Sequence, residues 1–480
     1  MAACAVMALS LPSSGNAGNP GNAGNPCSVG NTATAANKST ATTATTASNP
    51  SIAANKSTAA TTPATPIATP ATPVSHPVSG KEVFECDSLK MTLVRKIQSY
   101  CGDTASRDGD VRSPKSVNFH PDGEKFYIHS LEGMKSVVYG FPEIEKLGTI
   151  SHSFSSADKS IWAPESGLYL FNDQFKDTFT FSGKPVESTF SHGGKYLWIT
   201  YYRRSFDTNA QNPSAVVVID TQKDSIVRAF ETGPLPKMIA ASPNGKWLAV
   251  THWGDNTVGL MEISSEDPAD WHYAANVVIG QKLKLNYKAS ERVNRDVGSG
   301  LCLRGTLFTR DSEYLLVGCM GGSGGIAVIN VEKCAYLGKI HGSKPNVRHL
   351  ICKDNYLYAS INMAGYVQRT RMFNVYAAIE ELEKGAKTAK IVEWDNCKVF
   401  PGARTIVSSP DGRFIFAACH GSSRIAVVET RTMTMLGSIG ADSYPVGLAI
   451  SKDGDWLIST SQGRDGSGGN AVDVYKIEYK

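Results

Sequence analysis

Five basic residues of this 480-residue sequence share one spacing. Lys115 stands seven positions before Asp122, Lys237 before Asn244, Arg304 before Asp311 and Arg404 before Asp411. Each of those polar residues sits in a tight turn written HPDG, SPNG, TRDS or SPDG. Aligning VRHLICK (347–353) on ARTIVSS (403–409) puts Arg348 at the same place, while two further copies carry Val186 and Val446 there. Lys and Arg supply only 48 of 480 residues, so five cations at seven equivalent positions calls for a cause. Converging cations repel one another, and a bound anion relieves that repulsion. The chemistry implied is recognition of an anion. The competing reading is structural, with each cation paired to a carboxylate such as Glu187 or Asp255.

The elements that must position these residues recur. In GPLPKMIAASPNGKWLAVTHWGDNTV (233–258) apolar residues alternate up to a turn and alternate again after it, the pattern of two strands around a tight connection. The turn and second strand return as FHPDGEKFYI (119–128), FSHGGKYLWI (190–199), FTRDSEYLLV (308–317), ICKDNYLYAS (351–360), SSPDGRFIFA (408–417) and ISKDGDWLIS (450–459). A third run such as SAVVVIDT (214–221) and a fourth such as SIVRAFETG (225–233) follow most copies. Units of about 40–50 residues with four short strands read as propeller blades. The fold class expected is all-β, a seven-bladed β-propeller with an eighth blade possible in 151–184. The last copy ends on AVDVYKIEYK (471–480) without a fourth strand, and DSLKMTLVRKIQ (87–98) reads as the missing one, closing the ring. RMFNVYAAIEELEKGAKT (371–388) reads as an inserted helix, with Phe373, Tyr376, Ala377 and Ile379 on its apolar face.

In such a blade the inner strand begins at one face of the ring, so the five cations surround the mouth of the central channel. Links from second to third strands share that face, among them YYRRSFDTNAQNP (201–213), THWGDN (251–256), CMGGSGG (319–325), CHGSSR (419–424) and SQGRDGSGGN (461–470). Tyr201, Arg203, His252, Trp253 and His420 thus join the candidate ligand-binding set, and the glycines leave backbone N–H groups for a ligand. Metal or haem ligation by His252 and His420 lacks the three or four ligands a metal needs. No cofactor is expected.

Residues 1–80 differ from the rest. GNAGNPGNAGNP (15–26), AANKST twice (35–40, 53–58) and TTPATPIATPATP (61–73) cannot bury a core and read as a disordered spacer before a propeller spanning 81–480. AACAVMALSL (2–11) has the length of a signal core but no preceding Lys or Arg, and MAAC (1–4) has the look of a lipoprotein signal end, which makes Cys4 the candidate lipidated residue. Membrane association is expected only through that anchor. The net charge of +4 supplies no field for nucleic acid. The ten cysteines form no CxxC or zinc spacing; Cys86 and Cys101, flanking one strand, could pair or stay free.

The segment SAVVVIDTQKDSIVRAFETGPLPKMIAASPNGKWLAVTHWGDNTV (214–258), and 425–461 with it, resembles the YVTN-repeat β-propellers, with their V-x-VIDT, G-x-x-P, S-P-D-G and Y-V-x-N pattern. The resemblance covers roughly 86–480 and implies a propeller of the bacterial periplasm or cell envelope. Its members include envelope proteins, lactonases and the haem domain of nitrite reductases. The function expected is non-catalytic binding of an anionic small molecule or glycan, or of a partner protein, at the funnel face. The alternative is a lactonase-like hydrolase or a haem-binding propeller enzyme. Neither a carboxylate pair at the funnel positions nor a CxxCH supports that alternative.

Overall fold

A computed structural model describes residues 78–79, 81–100, 106–169, 177–204, 211–285, 287, 291, 293–295, 298–463 and 468–480. Cys4, Cys101 and nearly all of the expected spacer lie outside these residues.

Seven sheets, antiparallel but for one added parallel strand (Thr388–Lys390 beside Ala335–His341), form a seven-bladed β-propeller. The inner strands of blades one to seven are Pro114–Phe119, Thr180–Ser191, Pro236–Ala241, Leu303–Phe308, Val347–Lys353, Ala403–Ser408 and Pro445–Ile450. Each is followed by a turn and the second strand that the repeat marks: Lys125–Ser130, Tyr196–Arg204, Trp247–His252, Tyr314–Cys319, Tyr356–Ile361, Phe414–Cys419 and Trp456–Ser461. The turns hold because their acid or amide side chain accepts from the backbone two residues on, as Asp411 does from Arg413 N at 3.0 Å and Asn244 from Lys246 N at 3.1 Å.

Period-two alternation gives the middle strands of a blade two buried faces, one against each neighbouring blade. Ala249, Val258 and Leu260 of blade three thus meet Leu315, Val317 and Ile329 of blade four. Leu316, Ile326 and Val328, on the other face of blade four, meet Leu357 and Ala359 of blade five.

The ring closes as the sequence implies. Leu89–Gln98 pairs antiparallel with Ala471–Tyr479, from Leu89 opposite Tyr479 to Gln98 opposite Ala471, and completes blade seven. Both ends of the propeller are thereby held in one sheet, which Val83–Glu85 and Val78–Ser79 extend outward.

The described part of 151–184 forms no eighth blade. Within it, Ser153–Ser155 pairs with Thr180–Ser182, extending the inner strand of blade two. The inserted helix is Met372–Glu383, between the third and fourth strands of blade five. Its buried stripe is Met372, Val375, Ala378, Ile379 and Leu382, whereas Phe373 is 78% exposed. Of the expected apolar face only Ile379 is buried and Tyr376 half-buried, while Phe373 and Ala377 are exposed: the helix starts directly from strand Tyr366–Arg371, which fixes its phase. Cys86 is a free buried thiol.

Candidate functional site

The entries to six of the seven inner strands are built alike. Ser113, Leu235, Cys302, Asn346, Gly402 and Tyr444 all have left-handed φ, between 49° and 83°. Each stands two residues before the ring position, at Lys115, Lys237, Arg304, Arg348, Arg404 and Val446 in turn. Only one of the six is glycine. At Gly402 a Cβ would lie 2.7 Å from Gly421 N, so close backbone approach requires it there. The others hold a conformation that side chains disfavour, which the surrounding sheet must impose.

A register shift follows at once in every one of these strands, for instance between Val347 and His349 and between Ala403 and Ile406. A bulge sets two consecutive residues against one on the partner strand, so the residue after the ring position also reaches the channel. Hydroxyls then fix the ring carbonyls. Ser360 donates to Arg404 O at 2.5 Å, Thr460 to Lys115 O at 2.9 Å, Thr306 to Arg304 O at 2.7 Å, Ser116 to Val186 O at 2.6 Å and Thr405 to Val446 O at 2.7 Å. With each carbonyl held by a neighbour, the side chain is aimed at the axis.

The result is a central cavity of about 10 Å³, room for one water-sized group. Lys115, Arg304, Arg348 and Arg404 line it with Glu187, Met238, His349, Thr405 and Val446. The four cations are at most 8% exposed. Lys115 Nζ donates to Gln462 Oε1 at 3.1 Å, and Arg348 Nη1 lies 3.3 Å from Met320 Sδ. The Arg404 guanidinium is 5.4 Å from the Tyr444 ring centre. Glu187 is the carboxylate of the cavity lining, and no ion pair within 4.0 Å joins it to Lys115, Arg348 or Arg404 among the described residues.

These charges act on one another. Burial, and then the charges of Arg404, Arg304 and Arg348, hold the Lys115 ammonium well below the ordinary lysine range against the opposing pull of Glu187. Burial likewise lowers Arg348 and Arg404. It raises the Glu187 carboxyl against the pull of the four cations. Burial and the neighbouring Arg348 and Arg304 push the His349 imidazole down to about 4, so it is neutral at ordinary pH.

A collar lies beside the cavity, made by the residue that ends or follows each second strand. Leu131, Tyr202, Trp253 and Met320 of blades one to four form a buried apolar cluster with Val186, Leu235 and Cys302. Asn362, His420 and Gln462 of blades five to seven occupy the matching places and are polar. Lys237 belongs to the collar rather than the cavity: its Nζ is 3.7 Å from the Tyr202 ring centre and 5.1 Å from that of Trp253. Trp253 also faces Arg304, at 5.9 Å.

The other candidates from the sequence are dispersed. His252 is fully buried within blade three, bonded to Thr232 and Thr257 hydroxyls at 2.8 Å each, and burial takes it down to about 3. Tyr201 is fully buried in the core between blades one and two, its hydroxyl 2.8 Å from His152 Nδ1. His420, in its collar place, has its ring 4.5 Å from that of Tyr444. Arg203 ends strand Tyr196–Arg204, and its side chain lies outside the described part. The strand parity explains the split: His252 and Tyr201 point into the blades, and the next residues, Trp253 and Tyr202, point to the channel. The glycine link 319–325 spends several N–H groups on the chain itself, Gly321 on Leu301 O at 2.9 Å and Gly324 on Gly321 O at 3.1 Å. Asp255 accepts from Thr257 Oγ1 at 2.7 Å. It does not line the cavity. Among the described residues no group of three His, Cys, Asp or Glu side chains could hold a metal ion.

Comparison with known proteins places the fold and leaves the role open. No family model matches the chain. It is 22% identical over 262 residues to Antigen Lp49 of Leptospira interrogans (serovar copenhageni, strain Fiocruz L1-130), a match covering 50% of this chain and 51% of that protein. The chain thus spans about half the length of the curated relative it matches. Among solved structures it resembles hydrazine synthase of Kuenenia stuttgartiensis, with TM-score 0.51 and 12% identity over 78% of this chain and 99% of that one. It also resembles the Cps50 (Swd1) β-propeller domain of Myceliophteria thermophila, with TM-score 0.52 and 11% identity over 80% and 99%. Likeness at that identity carries the propeller fold and nothing of either protein's activity.

Proposed function

We propose that this propeller is a binding protein that takes an anionic group into its central cavity, without catalysis. The observation that carries the reading is the convergence of Lys115, Arg304, Arg348 and Arg404 on one cavity with a single carboxylate beside them. Buried like charges cost folding free energy unless something of opposite sign compensates them. Four cations set from four separate blades are not a by-product of the repeat, because blades two and seven fill the same ring position with Val186 and Val446.

We further read the protein as an exported, YVTN-type propeller of the bacterial envelope. The sequence pattern of 214–258 supports this, as does the partial match to a protein named as an antigen. Among the described residues no helix is long and apolar enough to cross a membrane. A lipid on Cys4 would supply the attachment, and the intact mass of protein extracted from the envelope tests it: an unprocessed Met1 overturns export by that route.

The binding reading is tested by thermal shift of the full chain against small anions at constant ionic strength. An anion that binds only the folded state stabilises it by RT ln(1 + c/Kd) at free concentration c, and so raises the melting temperature with its concentration. The double variant Arg304→Met, Arg404→Met is expected to lose that increment. An increment that survives in the variant places the anion elsewhere and refutes the cavity as its site.

A further inference from the structure

An anion site gains nothing from a carboxylate unless the carboxylate has a task, and Glu187 lines this one. Of the four cations Arg304 pulls on it most strongly, and the carboxylate is not spent on the other three. It forms no ion pair within 4.0 Å with Lys115, Arg348 or Arg404 among the described residues, and its backbone is what is tied down, Glu187 O accepting from Thr200 Oγ1 at 3.3 Å. The cations are also unevenly placed. Arg304, Arg348 and Arg404 come from the consecutive blades four, five and six, while Lys115 and Glu187 come from blades one and two. An entering group therefore meets three guanidinium donors on one arc of the ring, and an ammonium donor with a carboxylate acceptor on another.

We propose that the cavity selects a small oxyanion that carries a hydroxyl, the class of bicarbonate and hydrogen phosphate, with Glu187 accepting the hydrogen bond of that hydroxyl. The inference rests on the anion-binding reading and names its ligand class. Arginine forks suit the bare oxygens of such an anion. An ionised carboxylate accepts only, so the one oxygen it tolerates nearby is one that bears a proton. Sulfate and nitrate, which carry no proton at neutral pH, would face Glu187 with a bare oxygen and be repelled. A buried polar group left without its partner is what makes such discrimination steep. The volume of about 10 Å³, room for one water, sets the scale: the ligand is no larger than one inorganic oxyanion, and a planar or a tetrahedral one alike requires the long arginine side chains to draw back as it enters.

The experiment titrates the full chain at pH 8 and constant ionic strength with two size-matched pairs, phosphate against sulfate and bicarbonate against nitrate, reading affinity by calorimetry and melting temperature. The hydroxylated member of at least one pair is expected to bind about ten-fold or more tightly than its partner, since a good hydrogen bond to a charged group exceeds about 1.4 kcal/mol. The pair that shows it tells whether the cavity holds a planar or a tetrahedral ion. Glu187→Gln, which can donate as well as accept, is expected to bring the two members of that pair to within about two-fold. Binding of both members equally by the parent protein overturns the role of Glu187 and leaves the anion site standing. No shift from any of the four ions overturns the site together with the inference. The comparison in the parent protein decides the matter even if Glu187→Gln does not fold.

Discussion

Two buried polar regions of this propeller are built on opposite terms. Between blades one and two, His129, Ser136, His152 and Tyr201 form a chain of hydrogen bonds of 2.8 Å each, and His129 Nε2 reaches Ser188 Oγ at 2.7 Å. Every ring nitrogen in that chain has a partner, and burial keeps both imidazoles neutral, His129 down to about 3. A few residues away, at the axis, four cations share one cavity with one carboxylate. The first region is complete in itself. The second carries more positive than negative charge, which the proposed anion would balance, and that contrast is what would separate a site from a structural network.

The largest effect should come from breaking the complete network. His152→Ala removes a fully buried ring and strands the Tyr201 hydroxyl and Ser136, so it is expected to cost about 3–5 kcal/mol, from the cavity and the lost hydrogen bonds together. Denaturant unfolding reads this as a lower midpoint at unchanged slope. A loss below about 1 kcal/mol would mean that the network is no firmer than the surface.

Acid should sharpen the contrast next. An unfolded histidine titrates near 6.5, whereas His252 stays neutral in the fold down to about 3. As pH falls below 6.5 the unfolded chain takes up a proton that the folded chain refuses, so stability drops through this window and stops changing on this account below pH 3. One such histidine contributes a slope of about 1.4 kcal/mol per pH unit. His252→Gln keeps groups that can bond Thr232 and Thr257 and removes the titration, so its stability between pH 4 and 6 should fall less steeply than that of the parent protein by about that amount. Parallel curves would show that His252 is already protonated in the fold.

What could be read from the sequence, and what could not, follows from how regular each feature is. The turns recur at constant spacing, and counting from them reaches the second residue of six inner strands, which is how four of the cavity cations are found. Lys237 holds the equivalent place yet stands against Tyr202 and Trp253. Which side chain a buried cation meets is a tertiary matter that spacing does not carry. Glu187 was named from the sequence only as a pairing partner at a blade edge, and His349 not at all, for another reason: strict alternation sends the residue after a ring position away from the axis, and only the bulge brings it back. The signal was nonetheless present, since Glu187 directly follows Val186 at a ring position. His252 and Tyr201 were misplaced by one step of parity at the ends of their strands. A loop and a strand end look alike in a sequence, and only pairing tells them apart.

The reverse of the histidine substitution should be nearly free. Arg348→Met replaces one of four converging charges by an apolar chain of similar length beside Met320. Stability without added anion is expected to change by less than about 1 kcal/mol, upward rather than downward, because relief of repulsion and of burial offsets lost packing. The same variant should lose most of any anion-dependent increment. A drop of several kcal/mol in unfolding experiments would instead make Arg348 a member of a completed network, and the contrast between the two regions would fail.

The smallest effect is a fraction of a proton, and it is the most diagnostic. Burial and three guanidinium charges hold the Lys115 ammonium far below the ordinary lysine range. An anion seated among those charges opposes all of them at once and favours the charged amine, so binding should draw a proton onto Lys115. Calorimetry of phosphate binding in buffers of different ionisation heat measures that uptake directly, as a slope of the observed heat on the buffer's heat. The expected slope corresponds to at most one proton near pH 7, and Lys115→Met should flatten it while Arg348 and Arg404 still support weaker binding. Uptake that persists in Lys115→Met would move the proton to Glu187, whose burial raises its carboxyl. An anion disfavours the ionised carboxylate just as it favours the ammonium, so the variant decides which of the two groups answers to the ligand.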